Sequence, residues 1–370
     1  MTVARTSETS ITAIKGATVL TGVDLEPLEN AVVLFSDVIL EVGRIEQVII
    51  PDHATVIDCV GKTLLPGLID THVHTQLHPV RRLITGGLTT VRDLGWAPEI
   101  VLPFAKKSAS WGVHGPAVLA VGPIITEPDG YPTHAHWHGA QITAYQLRSA
   151  TEAQELVRSL VEQGAWGIKF AVDDRRGPTL PSSLLKVLIE QAHHLGKKVT
   201  AHVGTVEELK KVLDAGVDEL AHMLMADERI PDELIAQMVE NKVAISSSLM
   251  FREAHDYSTA IDNAARFLDM GGLLIYGTDI GNGGATPLIT GPVPGVEIRE
   301  FIALTQAGMS PRQAITSATS AAASWLGLDS VGQVTAGFQA DLVLVRGTPH
   351  VEMKHIGNIE QVWRAGAPAL

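Results

Sequence analysis

The sequence contains a single cysteine, Cys59, so no disulfide can form within the chain. Cys59 lies in an apolar stretch, residues 55–60, where we expect a buried and unreactive thiol. A fold that needs no disulfide fits a reducing compartment, and we predict a cytoplasmic location.

Positive charge and long apolar runs are also scarce. The chain has 28 Lys and Arg against 41 Asp and Glu, a formal net charge of −13, so it repels phosphate backbones and anionic lipid overall. No apolar run approaches the roughly 18 residues that span a bilayer. We therefore expect neither a nucleic-acid partner nor a membrane partner. The sequence leaves the oligomeric state open, a homo-oligomer included.

The pattern of apolar residues divides the chain into a middle and two ends. Residues 1–65 and 331–370 carry short β-type runs broken by polar turns. Residues 66–330 instead alternate short apolar strands with longer amphipathic helices, which is typical of parallel strands joined by helical crossovers. Because the two ends share one composition, we predict that they pair into one small β-domain. A plain C-terminal tail is the alternative.

Eight strands can be counted in the middle of the chain. They are placed at residues 68–74, 88–94, 117–122, 166–171, 198–202, 217–222, 242–248 and 273–279. Eight such units predict an α/β fold, a (β/α)8 TIM barrel over residues 66–330. In this fold the active site lies at the carboxyl ends of the strands.

Histidine and aspartate stand at several of these strand ends. His72 and His74 close the first strand and, because side chains alternate with period 2, face the same way. Two such imidazoles can chelate one metal ion, although the same pair also occurs as ordinary polar residues. The remaining candidates end the fifth, sixth and eighth strands: His202, His222 and Asp279. Taken singly, each histidine could be a hydrogen-bonded core residue and Asp279 a helix N-cap.

Lys169 lies inside the apolar fourth strand, where an unpaired ammonium group would cost several kcal/mol to bury. Desolvation lowers the pKa of a lysine, and the neutral amine can add carbon dioxide to form an anionic carbamate able to bridge two cations. The alternative is a salt bridge to Asp218 or Asp93.

Two further features bear on the site. Asp70 is in phase with His72 one layer deeper, where it could orient a metal ligand. The loop after the third strand is dense in aromatic and imidazole groups, and we predict that it contacts substrate through Tyr131, His134, His136 and His138. A solvated loop without substrate contact, or an adventitious extra metal site, is the alternative.

Motifs along nearly the whole chain resemble one superfamily. They are LLPGLIDTHVH, GGLTTVRDLG, GIKF, AHVGTVEELKKVLDAGVDELAHM, GTDIG, and AITSATSAAASWLGL through GFQADLVLV. As a set, they resemble the amidohydrolase superfamily, in the style of its imidazolonepropionase-like and Xaa-Pro dipeptidase-like branch. The resemblance implies a β-sandwich made from both chain ends beside the barrel.

The resemblance also implies a ligand set of six residues. His72, His74 and Asp279 would hold one divalent cation, His202 and His222 a second, with carboxylated Lys169 and a hydroxide bridging both. Zinc is the expected metal, although imidazole and carboxylate also suit iron and manganese. Imidazolonepropionase itself uses one metal and has no bridging lysine, so Lys169 favours the two-metal, peptidase-like members.

The expected activity is hydrolysis of an amide or peptide carbon–nitrogen bond in a dipeptide, an N-acyl amino acid or a cyclic amide. Asp279 would act as the general base and acid. Hydrolysis of a lactone or ester, and deamination of a cyclic amidine, are alternatives on the same fold. A protein that kept the fold and lost its site is the alternative without enzymatic activity.

Overall fold

The computed structural model describes residues 10–77, 80–110, 112–135, 140–250, 257–279 and 295–369. Its strands are β1 (Thr12–Thr21), β2 (Glu26–Phe35), β3 (Ile39–Arg44), β4 (Thr55–Asp58), β5 (Lys62–Pro66), β6 (Leu68–Val73), β7 (Leu88–Asp93), β8 (Ala117–Ala120), β9 (Ile124–Thr126), β10 (Ala144–Gln146), β11 (Ile168–Val172), β12 (Val199–Val203), β13 (Glu219–Leu220), β14 (Ala244–Ser246), β15 (Leu273–Ile275), β16 (Leu342–Arg346), β17 (Ile359–Arg364) and β18 (Ala367–Pro368).

The α-helices connect and cover these strands. They are α1 (Val80–Thr85), α2 (Pro98–Ser108), α3 (Ala140–Thr143), α4 (Ala150–Glu162), α5 (Ser182–His194), α6 (Val206–Ala215), α7 (Asp232–Glu240), α8 (Tyr257–Asp269), α9 (Ile298–Gln306), α10 (Pro311–Ser317) and α11 (Ser320–Leu326). No helix in the described ranges is both long and apolar enough to cross a bilayer.

Strands from both ends of the chain share one mixed sheet. Its order is β18-β17-β16-β5-β1-β2-β3, with β4 also beside β1. The two ends meet where β5 pairs antiparallel with β16, with Leu65 opposite Val343. Branched and aromatic side chains from these strands, such as Val33, Phe35 and Trp363, are buried in one apolar cluster on this sheet. Cys59 belongs to the same cluster, and burial raises the pKa of its thiol. The buried cysteine is therefore confirmed.

The middle of the chain forms two parallel sheets. One has the order β10-β9-β11-β12-β13-β14-β15, and the other is β6-β7-β8. Each of the eight strand positions expected from the sequence contains a strand, whereas β9 and β10 were not expected. The α/β class with parallel strands is therefore confirmed.

Backbone hydrogen bonds join the two parallel sheets at both edges. On one side, the amide of Asp279 donates to the carbonyl of His72 (2.8 Å) and that of Thr71 to Tyr276 (3.1 Å). On the other side, the amide of Trp166 donates to the carbonyl of Ala120 (2.8 Å). These bonds bring β6 next to the chain that follows β15, so that the first and last strand ends of the middle segment lie together.

Helix ends are fixed by local chemistry. At α6 the Thr205 hydroxyl accepts the amide of Glu208, and Gly216 ends the helix in a left-handed conformation with φ of 93°. A side chain at Gly216 would strain this turn, which directs the chain from α6 into β13. The helix therefore starts just beyond His202 and ends just before β13, the strand that His222 follows.

A fully buried ion pair crosses the interior of the parallel sheets. Arg92 on β7 binds both carboxylate oxygens of Glu219 on β13, with an Nη1–Oε2 distance of 2.8 Å, and neither side chain is exposed. Arg92 Nε also donates to the carbonyl of Thr71 (2.7 Å), and Trp325 Nε1 donates to Glu219 Oε2 (2.8 Å). The pair thus ties together β6, β7, β13 and α11.

Breaking this pair should destabilise the protein. A Glu219→Gln variant leaves the Arg92 guanidinium buried without a countercharge, and we expect the free energy of unfolding in urea to fall by about 3–5 kcal/mol. Glu190→Gln is the matched control, because it removes an exposed ion pair to Lys186 (3.8 Å) that is worth about 0.5 kcal/mol or less. Equal effects of the two substitutions would contradict this role.

Candidate metal centre

Three buried side chains meet at the carboxyl ends of β6 and β15. His72 is in β6, His74 follows it, and Asp279 follows β15. Asp279 Oδ1 lies 3.1 Å from Nε2 of His72 and 3.1 Å from Nε2 of His74. One ligand atom of each residue lies within 4.8 Å of the others, which makes this a group able to hold a metal ion. The structure therefore brings together three residues predicted to share a metal.

In His72 and His74 the ring nitrogen directed away from Asp279 is Nδ1, and its partner shows where the ring carries a proton. Nδ1 of His72 lies 2.6 Å from the carbonyl of Ala221, and Nδ1 of His74 lies 3.2 Å from the carbonyl of Gly95. A carbonyl only accepts, so both Nδ1 atoms carry a proton, and in each neutral ring the Nε2 lone pair points at the Asp279 carboxylate. Asp279 Oδ1 has no hydrogen-bond partner among the described residues. Converging lone pairs repel unless a cation lies between them.

The second pair of histidines repeats this arrangement on neighbouring strands. Nδ1 of His202 on β12 lies 2.9 Å from Nε2 of His222, which follows β13. Nδ1 of His222 lies 2.8 Å from the carbonyl of Met223, so its proton is there and its Nε2 is a lone pair. The ring of His222 stacks 5.9 Å from that of His72. The two histidine groups are therefore adjacent.

Burial sets the protonation of this site. Desolvation lowers the pKa of His202 to about 4, and it holds the pKa of His222 well below the ordinary value. Burial also opposes ionisation of Asp279, but His72 and His74 outweigh it and hold the pKa of that carboxyl well below its usual range. Desolvation lowers the pKa of His72 as well, whereas at His74 desolvation is outweighed by the contact with Asp279, which raises the pKa. Neutral imidazoles at His72, His202 and His222 beside an ionised carboxylate are forms that bind metal ions.

Lys169 on β11 is 2% exposed. Desolvation lowers its pKa to about 7, although Asp279 and Glu219 act in the opposite direction. Its charge also lowers the pKa of His72, His202 and His222, so the amine acts electrostatically on both histidine groups.

The alternative role of Lys169, a salt bridge to Asp93 or Asp218, is not borne out. Across the described ranges, Lys169 makes no ion pair with either carboxylate. Asp93 instead accepts from Thr75 and from the amide of Gly95, and Asp218 accepts from His193 and the amide of Val199.

Asp70 is wholly buried and binds the backbone near the site. It accepts hydrogen bonds from the amide of His72 (3.0 Å) and from the amide and hydroxyl of Thr278 (3.1 and 2.6 Å). Burial raises its pKa to about 7. Asp70 therefore fixes the two chain segments that carry His72 and Asp279 through their backbone amides and the Thr278 hydroxyl.

Of the loop residues predicted to contact substrate, Tyr131 lies beside the site. Its ring is 8% exposed and stacks on the ring of His202 with centroids 4.5 Å apart. His134 is 71% exposed and lies 3.5 Å from Asp129. His136 and His138 lie outside the described residues, as does the segment that would test Asp279 as a helix cap.

Two buried carboxylates at the mouth of the site were missed from the sequence. Asp173 is the first residue after β11, so the strand-end rule that identified His202 would have found it. Glu300 on α9 accepts the amides of Leu249 (3.0 Å) and Met250 (2.8 Å) in the chain after β14. Nothing in the sequence pattern of α9 indicates that contact, because it depends on tertiary packing.

Comparisons with known proteins agree with this geometry. The model of the amidohydrolase family matches residues 63–369. Ochratoxinase of Aspergillus niger is 23% identical over 439 aligned positions, covering 99% of this chain and 88% of that protein. Imidazolonepropionase of Streptomyces griseus is 25% identical, covering 91% and 92%. The crystal structure of a Xaa-Pro dipeptidase with bound methionine in its active site superposes with a TM-score of 0.80 at 21% identity, covering 97% and 99%. The resemblance inferred from the motifs is confirmed.

The Glu300 contact predicts a pH-dependent stability. Burial raises the pKa of Glu300 to about 7 from 4.5, so the folded protein keeps a proton that the unfolded chain has lost over this interval. Its contribution is fully present below pH 4.5 and is lost as the pH rises through 7. In metal-free protein, the free energy of unfolding should fall less between pH 5 and 8 in Glu300→Gln than in wild type. The exposed Glu155→Gln control should match wild type, and parallel profiles for all three proteins would refute the assignment.

Proposed function

We propose a function from the premise that the chain belongs to the amidohydrolase family and is a hydrolase of carbon–nitrogen bonds. The reaction is hydrolysis of an amide or peptide bond in a dipeptide, an N-acyl amino acid or a cyclic amide, assisted by two divalent cations. The observation that carries this proposal is the convergence of the His72 and His74 ring nitrogens on Asp279 beside the close pair of ring nitrogens of His202 and His222.

We also propose that the two parallel sheets close into one TIM barrel of residues 66–330. The hydrogen bonds at both sheet edges support closure. The mixed sheet would belong to a β-sandwich domain of residues 1–65 and 331–370, because its strands come from both ends. This arrangement puts every proposed metal ligand at one mouth of the barrel.

The proposed ligands fit two cations. His72, His74 and Asp279 would hold one, and His202 with His222 would hold the other. Lys169, buried among them with a pKa of about 7, can react as the neutral amine with carbon dioxide, and its carbamate would contribute to both sites. Imidazole and carboxylate ligands suit zinc, which we propose as the metal.

When bound, two divalent cations lower the pKa of water toward neutrality and polarise the carbonyl of the scissile bond. Asp279 accepts the proton of the water that attacks this carbonyl carbon. It then donates the proton to the amide nitrogen, which leaves as an amine while the acyl group becomes a carboxylate. Burial of Asp279 excludes bulk water from this proton transfer.

Asp279→Asn should separate metal binding from catalysis. The amide oxygen can still act as a ligand, but it cannot carry the proton, so we expect at least a ~10²-fold loss of kcat with most of the metal retained. Metal per chain by mass spectrometry and steady-state rates on a responsive substrate make the measurement. A variant that keeps more than about a tenth of the wild-type rate would refute this role of Asp279.

Lys169 should form a carbamate. Protein loaded with zinc in ¹³C-labelled bicarbonate should give a carbamate carbon signal by NMR, and Lys169→Met should not. Lys198→Met is the matched control, since that lysine packs over Trp325 and donates to its carbonyl instead. A wild-type spectrum without the signal would leave Lys169 unmodified and defeat the bridging role.

The substrate class requires a screen. Metal-loaded protein with bicarbonate should be assayed against dipeptides, N-acyl amino acids, lactams and lactones, with release of amine and carboxylate measured separately. The proposal expects both products in equal amounts from an amide. Ammonia without carboxylate would identify a deaminase, and turnover of lactones alone would identify the ester-cleaving alternative.

A further inference from the structure

His202 differs from the other three histidines of the proposed metal centre in the group that faces its outer ring nitrogen, the one directed away from the proposed cations. In His72, His74 and His222 that nitrogen faces a backbone carbonyl. In His202 it is Nε2, which lies 3.5 Å from the Oδ2 atom of Asp173 and makes no hydrogen bond within the described chain. A side-chain carboxylate therefore stands where the other rings have the main chain.

Asp173 is held firmly in this position. Arg175 binds both of its carboxylate oxygens, with Nε–Oδ1 2.9 Å and Nη2–Oδ2 3.0 Å, and Arg176 Nε lies 3.4 Å from Oδ2. The side chain of Asp173 is fully buried although both arginines are partly exposed. The two arginines hold Asp173 in place independently of His202. The carboxylate of Asp173 therefore constrains the His202 ring.

Glycine at position 204 makes room for this carboxylate. A Cβ atom there would lie 2.5 Å from Asp173 Oδ1 and 2.8 Å from its Cα. The amide of Gly204 donates to the carbonyl of Val172 (2.8 Å), which keeps the ends of β11 and β12 together. The backbone is therefore built so that Asp173 and His202, on adjacent strands, can meet.

Tyr131 restricts the same ring from its face. Its ring stacks 4.5 Å from that of His202 at an interplanar angle of 27°, and the guanidinium of Arg176 lies 4.9 Å from the Tyr131 centroid. One face of the ring is therefore covered, and Nδ1 lies 2.9 Å from the Nε2 lone pair of His222, to which it donates in the metal-free chain. A cation bound at Nδ1 would leave Nε2 as the nitrogen that carries the proton.

We propose that Asp173 is a positioning residue that accepts the Nε2 proton of His202 when Nδ1 binds the second cation, and so stabilises the tautomer that can act as a ligand. In the metal-free tautomer the Nε2 lone pair faces the carboxylate and the proton occupies the proposed ligand atom. The inference rests on the proposed metal centre, and the position of the ring proton in zinc-loaded protein tests it separately.

The test begins with zinc binding. Metal-free wild type, titrated with Zn²⁺ against a chromophoric chelator, should show two binding steps. Asp173→Asn should weaken one step by roughly 10- to 100-fold and leave the other near its wild-type value. Asp174→Asn, an exposed neighbour with the same change of charge, is the matched control and should bind both ions as wild type does.

The second readout is the ring itself. In protein labelled with ¹⁵N-histidine, and with His202 assigned by its loss in His202→Asn, the wild-type ring should be the Nδ1–H tautomer without metal and the Nε2–H tautomer after two zinc ions bind. Asp173→Asn and Gly204→Ala should both need a higher zinc concentration for this conversion. Gly204→Ala moves the carboxylate without removing it, and it serves if Asp173→Asn does not fold.

The outcomes are distinct. A zinc-loaded wild-type ring that stays in the Nδ1–H form overturns the proposal, as does unchanged zinc affinity in Asp173→Asn, or an equal loss in Asp174→Asn. Wild type that binds no zinc would remove the proposed metal centre itself, whereas two zinc ions bound with the same affinity by wild type and by Asp173→Asn would remove only the role of Asp173.

Discussion

The site depends on the carbonyl groups that fix the orientation of its imidazoles. The carbonyls of Ala221, Gly95 and Met223 each accept a hydrogen bond from the Nδ1–H of one histidine ring, and this turns the opposite ring nitrogen, Nε2, inward. These acceptors lie at strand ends, so their positions follow from the alignment of the parallel strands. The fold therefore determines where lone pairs converge, and the converging lone pairs create the demand for positive charge.

The interior below the site supplies the stiffness that this arrangement needs. Asp70 joins the segments of His72 and Thr278, and the Arg92–Glu219 pair links β6, β7 and β13 without any exposure to solvent. Asp70, Arg92 and Glu219 are each hydrogen bonded to more than one segment of the chain. Because a buried charge that loses its partner is costly, small displacements of the strands are resisted.

Much of the site could be predicted from the sequence because its residues follow two simple rules. His72 and His74 are two residues apart in a strand, and His202, His222 and Asp279 each end an apolar run, so strand periodicity and the geometry of parallel sheets suffice. The mixed sheet of both chain ends likewise follows from composition, and β5 does pair with β16.

Other features depend on contacts that a sequence pattern does not encode. Carbonyls set the proton position on three of the four rings, and the carbonyl that fixes His72 belongs to Ala221, 149 residues along the chain. Asp70 follows the strand period, yet the structure directs it to backbone amides and not to an imidazole. Short strands such as β9 carry too few residues to show a period.

The central claim is that the strand-end residues gather around two metal ions. The most direct measurement is a crystal structure of zinc-loaded protein with anomalous data at the zinc edge. We expect two anomalous peaks. One should lie within bonding distance of His72, His74 and Asp279 and the other of His202 Nδ1 and His222 Nε2, with Lys169 carboxylated and close to both. A single peak, or two peaks remote from an unmodified Lys169, would contradict it.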